Sequence, residues 1–186
     1  MAEEGDKLIL LDWDDTLCPS TWMIEEGFSL HSHPVELVTS WNDLHKLSQK
    51  VEMVLKKAKS LGSPYILTNS QDGWVTQSTN LLFPSLGKTL KTVPIYSANS
   101  KFSSYDPNPK MWKHYAVRDL LETHDPVTIF GAGDAENDQE AVLFNRFTDD
   151  YTEDRHSVKF KLQPTLEDLF LQLDDLGFYL EDVFST

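Results

Sequence analysis

This 186-residue sequence predicts an α/β fold of three layers, with a central parallel sheet of about five strands. Three observations predict it. Short apolar runs recur along the chain, the stretches between them carry the 3.6-residue apolar period of helices, and cap or turn residues separate the two kinds of segment. Strands that alternate with helices must be joined by crossovers, so they lie parallel and are covered on both faces.

The first run is KLILLD (7–12). The others are SPYILT (63–68), KTVPIYS (91–97), DPVTIFG (125–131) and HSVKFKL (156–162). Leu47, Val51, Val54, Leu55, Ala58 and Leu61 form an apolar helical stripe that Gly62 stops. Asn108-Pro109 reads as an N-cap and first-turn pair opening a helix through Leu121. Thr165 to Asp168 resembles a capping box ahead of Leu166, Leu169, Phe170, Leu173 and Leu176. Residues 18–35, rich in aromatic and polar residues and proline, form the anomalous connection. A loop of this length is uncommon unless functional, and it leaves the carboxyl end of a strand, where open α/β sheets bind ligands.

The length suits a single domain, here residues 1–177, with the acidic-aromatic residues 178–186 as a tail or the start of a further segment. Sixteen Lys+Arg against 30 Asp+Glu give a net charge of −14, which repels a phosphate backbone, so no nucleic-acid partner is expected. The lone Cys18 has no internal disulfide partner and suits a reducing compartment. No apolar run is long enough for a membrane span, and MAEEGD lacks the basic start of a secretory signal. A cytoplasmic protein is expected, or one in a host cytosol if the chain is a secreted effector.

The chemistry starts where β-structure gives way to charge. In KLILLDWDDTL four apolar residues run into Asp12, Asp14 and Asp15, three carboxylates within four positions. Carboxylates so close raise one another's pKa unless something positive holds them, and a cation is the first candidate. The other strand ends supply matching groups: Thr68-Asn69-Ser70 after the second, Asp134 and Asp138 in GAGDAEND after the fourth, and Lys110 at the helix between the third and fourth. Such a set suits phosphoryl transfer onto a carboxylate. A hard divalent cation, magnesium, must neutralise both nucleophile and phosphate, with Asp12 and Asp134 as its carboxylates and Thr68 and Lys110 on the phosphoryl oxygens. Trp13 points to the opposite face from Asp12 and is read as packing, and Asp15 as a local turn cap.

These residues resemble the four motifs of the haloacid-dehalogenase-like phosphohydrolases, a Rossmann-like family: LILLDWDDT, YILT, Lys110 and TIFGAGDAEND, in the family's order across residues 7–138. Lys113, one turn after Lys110, competes for the third motif. The resemblance implies that Asp12 is the nucleophile and Asp14 the general acid that later activates water. It implies magnesium held by the Asp12 side chain, the Asp14 backbone carbonyl and Asp134. Thr68, Asn69 and Lys110 are then phosphate ligands, while Asn137 and Asp138 order water or Lys110.

Family members differ mainly in inserted caps. The first gap here holds little beyond the 18–35 loop and a helix, and the second, residues 70–109, only what the core requires, so the chain looks capless and similar to the magnesium-dependent protein tyrosine phosphatases. A phosphorylated protein is the expected partner. Trp22, Phe28, Trp41 and Trp74 could form an aromatic wall for phosphotyrosine or simply pack the loop, and the five lysines between Lys88 and Lys113 could offset the acidic surface. The alternatives are a small-molecule phosphatase of the same family and a catalytically inactive phospho-binding module. A cysteine-dependent phosphatase fails because Ile24, not arginine, stands six residues after Cys18. A receiver domain leaves GDAEND unexplained and puts YSANS where its acceptor aspartate belongs. His31 and His33 have a metal-compatible spacing but no third ligand nearby in sequence, and are read as loop residues.

Overall fold

The computed structural model describes residues 6–145 and 153–184. Five strands form one all-parallel sheet: β1 (Lys7–Leu11), β2 (Ser63–Thr68), β3 (Ile95–Ser97), β4 (Thr128–Gly133) and β5 (Asp154–Lys159). Their spatial order is β3-β2-β1-β4-β5. The α-helices are α1 (Ser20–Glu25), α2 (Trp41–Leu61), α3 (Trp74–Leu82), α4 (Gly87–Leu90), α5 (Ala98–Phe102), α6 (Pro109–His124), α7 (Glu136–Leu143) and α8 (Leu166–Phe184). Single 3-10 turns occupy Pro34–Leu37 and Pro84–Leu86.

Alternation along β1 builds the three layers. Ile9 and Leu11 face one side and join a core made with α2, α3 and α8, through residues such as Val51, Leu55, Leu82, Leu173 and Leu180. Leu8 and Leu10 face the other side and join a second core with Ala116, Val117 and Leu120 of α6 and Ala141 and Val142 of α7. With both faces covered, β1, β2 and β4 are shielded and their carboxyl ends stay open to chemistry. Because the strand order reverses at β1, the connections from β1 and β4 leave on opposite faces and a crevice forms between those two strand ends.

Element boundaries shift from the expected ones for local reasons. β3 is three residues rather than seven, because Pro94 has no N–H to give to a ladder and the residues before it turn through α4. β4 starts later and runs through Gly133. Asp125, at φ 46°, caps the end of α6 in the left-handed region and cannot begin a strand. The glycines of GAG lie inside β4 because α7 packs directly on them. A Cβ on Gly131 would stand 2.6 Å from Val142 Cγ2, and one on Gly133 would collide with the Asp138 carboxylate.

The caps behave as their residues dictate. Asn108 Oδ1 accepts the Lys110 N–H ahead of Pro109. Thr165 and Asp168 exchange reciprocal side-chain-to-backbone bonds of 3.1 and 2.9 Å at the start of α8. Residues 178–184, expected as a tail or the start of a further segment, are the last turns of α8, whose Leu180 and Phe184 are buried in the core; residues 185–186 lie outside the described residues. The 18–35 connection holds less loop than expected, since α1 takes Ser20–Glu25 of it and a 3-10 turn begins at Pro34. No cap domain is inserted among the described residues.

Candidate functional site

At the carboxyl end of β1 the backbone stays in register one residue past the strand, with Asp12 N–H donating to Ala132 O at 2.9 Å. Asp12 is thereby fixed against β4. The chain then turns sharply, with the N–H groups of Thr16, Leu17 and Cys18 all converging on Trp13 O and Asp15 N–H returning to Cys18 O. Asp15 takes φ 53° in this turn, and its carboxylate accepts the backbone N–H and hydroxyl of Thr21, capping the start of α1. Trp13 is fully buried, its indole donating to Ser78 Oγ at 2.9 Å. Both residues are used as the sequence suggested, and neither faces the chemistry.

The centre consists of three carboxylates and one ammonium group. Carboxylate oxygens of Asp12, Asp134 and Asp138 lie within 4.8 Å of one another, a group able to hold a metal ion. Asp134 follows β4, and Asp138 stands on the first turn of α7, where its Oδ2 accepts the Ala135 N–H at 3.1 Å. Lys113, 3% exposed, extends from the second turn of α6 and donates to Asp12 Oδ1 at 2.6 Å and Asp138 Oδ1 at 2.5 Å. Three hard anionic oxygen donors against one buried cation leave an excess of negative charge, and that donor set suits a hard divalent ion.

Electrostatics follow the geometry. Burial pushes the Asp12 carboxyl well above the ordinary range; Lys113 opposes that, and Asp138 and Asp14 add to it. Burial alone would drive Lys113 down, but Asp12 and Asp138 outweigh it and hold the ammonium protonated. Burial, followed by the charges on Asp138 and Asp15, pushes Asp134 up to about 6. Burial also raises the Cys18 thiol, which is therefore no nucleophile.

The shift at Asp134 gives an expected pH response. Its pKa is 3.8 when exposed and about 6 in the fold, so the folded state holds a proton that the unfolded chain lacks between those values. Metal-free protein should therefore gain stability as pH falls from 7.5 to 5, and the gain should level off below about 4. The full shift corresponds to about 3 kcal/mol, but the carboxyl is partly exposed, and screening reduces this to ~1 kcal/mol, a rise in Tm of about 2–4 °C. A divalent ion on these oxygens, with millimolar magnesium as the probe, should stabilise at pH 7.5 and much less at 5, because protons compete for the same oxygens. Thermal melts with and without chelator check this, and an equal magnesium effect at both pH values would contradict it.

Asp14 stands apart from that centre. Its Oδ1 accepts from Ser20 Oγ at 2.5 Å and Trp74 Nε1 at 2.7 Å. Its Oδ2 accepts from Ser70 Oγ at 2.7 Å and Thr68 Oγ1 at 3.5 Å. Thr68 is fully buried at the end of β2, where its hydroxyl also accepts the Ser70 N–H. Beside Asp14 a cleft of about 490 Å³ is lined by Leu30, Ser70, Asp72, Trp74, Gln77 and Asn99, among others. An apolar groove of about 470 Å³ between α2 and α8 shares no residue with this site.

Of the residues singled out in the sequence, Asp12, Asp134 and Asp138 meet, and Asp14 and Thr68 lie beside them. Lys110 does not. It is exposed on the first turn of α6, and the lysine that reaches the carboxylates is Lys113, because the helix must advance one turn before a side chain can extend down between β1 and β4. Asp138, expected to order water or Lys110, is a full member of the carboxylate group instead. Asn137 is half-buried on α7 and takes no part in the bonds joining Asp12, Lys113 and Asp138. Asn69 turns its amide nitrogen onto Pro109 O at 3.2 Å, tying β2 to the start of α6, and leaves its Oδ1 without a protein partner.

Trp22 and Phe28 pack on each other, 5.9 Å between ring centroids, and against the core, so the loop is held by them rather than walled for a ligand. Trp41 is 42% exposed at the start of α2, and of the four aromatics only Trp74 bonds to a site carboxylate. His31 and His33 are exposed and outside the carboxylate group. Ser20, Ser70 and the indole N–H of Trp74 were not anticipated as partners of Asp14. Ser70 and Trp74 carried a signal, closeness to the end of β2; Ser20 carried none.

Fold and site together define a doubly wound α/β protein with a carboxylate and lysine centre at its topological switch point. No family model, curated protein or solved structure matches the chain. Among the described residues no helix is long and apolar enough to cross a membrane.

Proposed function

We propose that the chain is a magnesium-dependent phosphomonoesterase of the haloacid-dehalogenase-like kind, working through an aspartyl-phosphate. One observation carries the reading: Asp12, Asp134 and Asp138 converge on Lys113 at a single crevice, while Asp14, two residues from Asp12, is held in a separate hydrogen-bond set. Two carboxyls in such different surroundings can divide nucleophile and acid–base roles.

Asp12 and Asp134, with Asp138 adjoining, would hold the ion. Bound magnesium neutralises the carboxylates and the phosphoryl oxygens so that like charges can approach. An oxygen of Asp12 attacks phosphorus as the ester P–O bond breaks, its electron pair leaving on the alcohol oxygen, which takes a proton from Asp14. Water then attacks phosphorus of the acyl phosphate and gives its proton to Asp14. The P–O bond to Asp12 breaks, restoring both carboxyls and releasing inorganic phosphate. Lys113 keeps Asp12 oriented and offsets its charge. Thr68, whose hydroxyl lies beside Asp14, would be the residue of this site that meets a phosphoryl oxygen.

With no cap over the crevice among the described residues and Trp74 at the neighbouring cleft, an exposed phosphate such as phosphotyrosine on a protein is the substrate this site suits best. The test is phosphate release from p-nitrophenyl phosphate with magnesium and with chelator, followed by a panel of phosphotyrosine peptides, phosphoserine peptides, sugar phosphates and nucleotides. Magnesium-dependent release is expected, fastest from the phosphotyrosine peptides. No release from any of them would reject the enzyme, and faster turnover of a small metabolite would reject the protein substrate.

A further inference from the structure

We infer that Trp74, assisted by Ser20 and Ser70, positions the acid–base carboxyl of this site by holding Asp14 out of the carboxylate and lysine centre. The inference rests on the phosphomonoesterase reading above and adds to it which residue aims the acid, and how.

The donors on Asp14 come from four separate segments: Ser20 of α1, Thr68 at the end of β2, Ser70 just beyond it and Trp74 of α3. They differ in kind. A hydroxyl rotates and can either give or accept a proton, whereas an indole N–H can only donate. Trp74 is also packed against the core, so its N–H has a fixed direction that the core sets. An oxygen facing that N–H must remain an acceptor. Oδ1 is therefore pinned by a donor that cannot reverse, while Oδ2 faces the hydroxyls of Ser70 and Thr68, which can turn. Ser70 and Trp74 both line the 490 Å³ cleft, the space available to a departing alcohol. Without the indole, Asp14 loses its one donor of fixed direction and is held by rotatable hydroxyls alone, which let it turn toward Asp12, two residues back.

The step affected is the first half-reaction: Asp12 oxygen bonds to phosphorus, the ester P–O bond breaks, and the alcohol oxygen takes the Asp14 proton. A good leaving group departs without that proton, and a poor one does not. The experiment compares kcat/KM for p-nitrophenyl phosphate and phenyl phosphate, whose phenol has a pKa of about 10, in wild type, Trp74→Phe and Ser20→Ala. Trp74→Phe should lose about 100-fold on phenyl phosphate and less than about 3-fold on p-nitrophenyl phosphate. Ser20→Ala, which leaves the core aromatic in place, should show the same selectivity on a smaller scale. It keeps the test valid if Trp74→Phe does not fold.

A second readout does not need turnover. The five tryptophans give five indole N–H signals in a nitrogen–proton correlation spectrum, and the one missing in Trp74→Phe should move in Asp14→Ala. Equal losses on both substrates, or an unmoved indole signal, would overturn the positioning role and leave the phosphomonoesterase standing. Wild-type protein that turns over neither substrate with magnesium would overturn both.

Discussion

Lys113→Ala is expected to remove activity on p-nitrophenyl phosphate and to lower the metal-free Tm by on the order of 10 °C, while Lys110→Ala stays within about twofold of wild type in kcat/KM and within about 1 °C in Tm. The contrast follows from where each ammonium lies. Lys113 is buried between Asp12 and Asp138, and deleting it leaves two buried carboxylates facing each other with no counter-charge. Removing one partner of a buried ion pair costs about 3–5 kcal/mol, because the remaining charge is left unpaired in a low dielectric. Lys110 is exposed, and only its backbone N–H is used, by Asn108.

Magnesium should recover part of the lost stability in Lys113→Ala by supplying positive charge to the same oxygens. It should not recover the activity, since Asp12 is then no longer held by a hydrogen bond at 2.6 Å. Melting curves and steady-state rates on the two variants check the assignment. If Lys110→Ala is the variant that loses activity, the third element of the site has been placed on the wrong turn of α6.

How much of this was visible beforehand depended on whether local chemistry or tertiary geometry decided the matter. The run from Leu8 to Asp12 reads as a strand ending in charge because apolar alternation and a carboxylate cluster are local facts, and the structure places Asp12 at that strand end. Asn108-Pro109 and Thr165-Asp168 likewise act as the caps their side chains dictate. The lysine was not decidable in this way. Lys110 and Lys113 are one helical turn apart, and which of them reaches Asp12 depends on how far α6 extends past β1, which no residue near either lysine encodes. The fourth strand reads as ending at Gly131, yet it runs through Gly133, because α7 approaches too closely for a side chain at either glycine. The Asp14 partners come from α1, β2 and α3, and a hydrogen bond between residues 60 apart, such as Trp74 to Asp14, leaves no periodic trace.

Asp12→Asn is expected to lower kcat/KM by at least about 10³-fold, a loss of more than ~4 kcal/mol of transition-state stabilisation, without lowering the metal-free Tm. The two halves of this expectation have one origin. An amide of the same shape cannot form the acyl phosphate, so the covalent route closes. The substitution also removes a charge that burial opposes, and it leaves Lys113 paired with Asp138 alone, one cation against one anion. A variant that is inert yet as stable as wild type separates loss of chemistry from loss of fold, which Lys113→Ala does not. The stabilisation by magnesium should shrink, because one of three carboxylates no longer draws the ion. Acid-quenched wild type incubated with labelled aryl phosphate should carry label that hydroxylamine releases, and Asp12→Asn should carry none. Retention of more than about a tenth of wild-type kcat/KM in Asp12→Asn would show that Asp12 is not the nucleophile, whatever ion the three carboxylates hold.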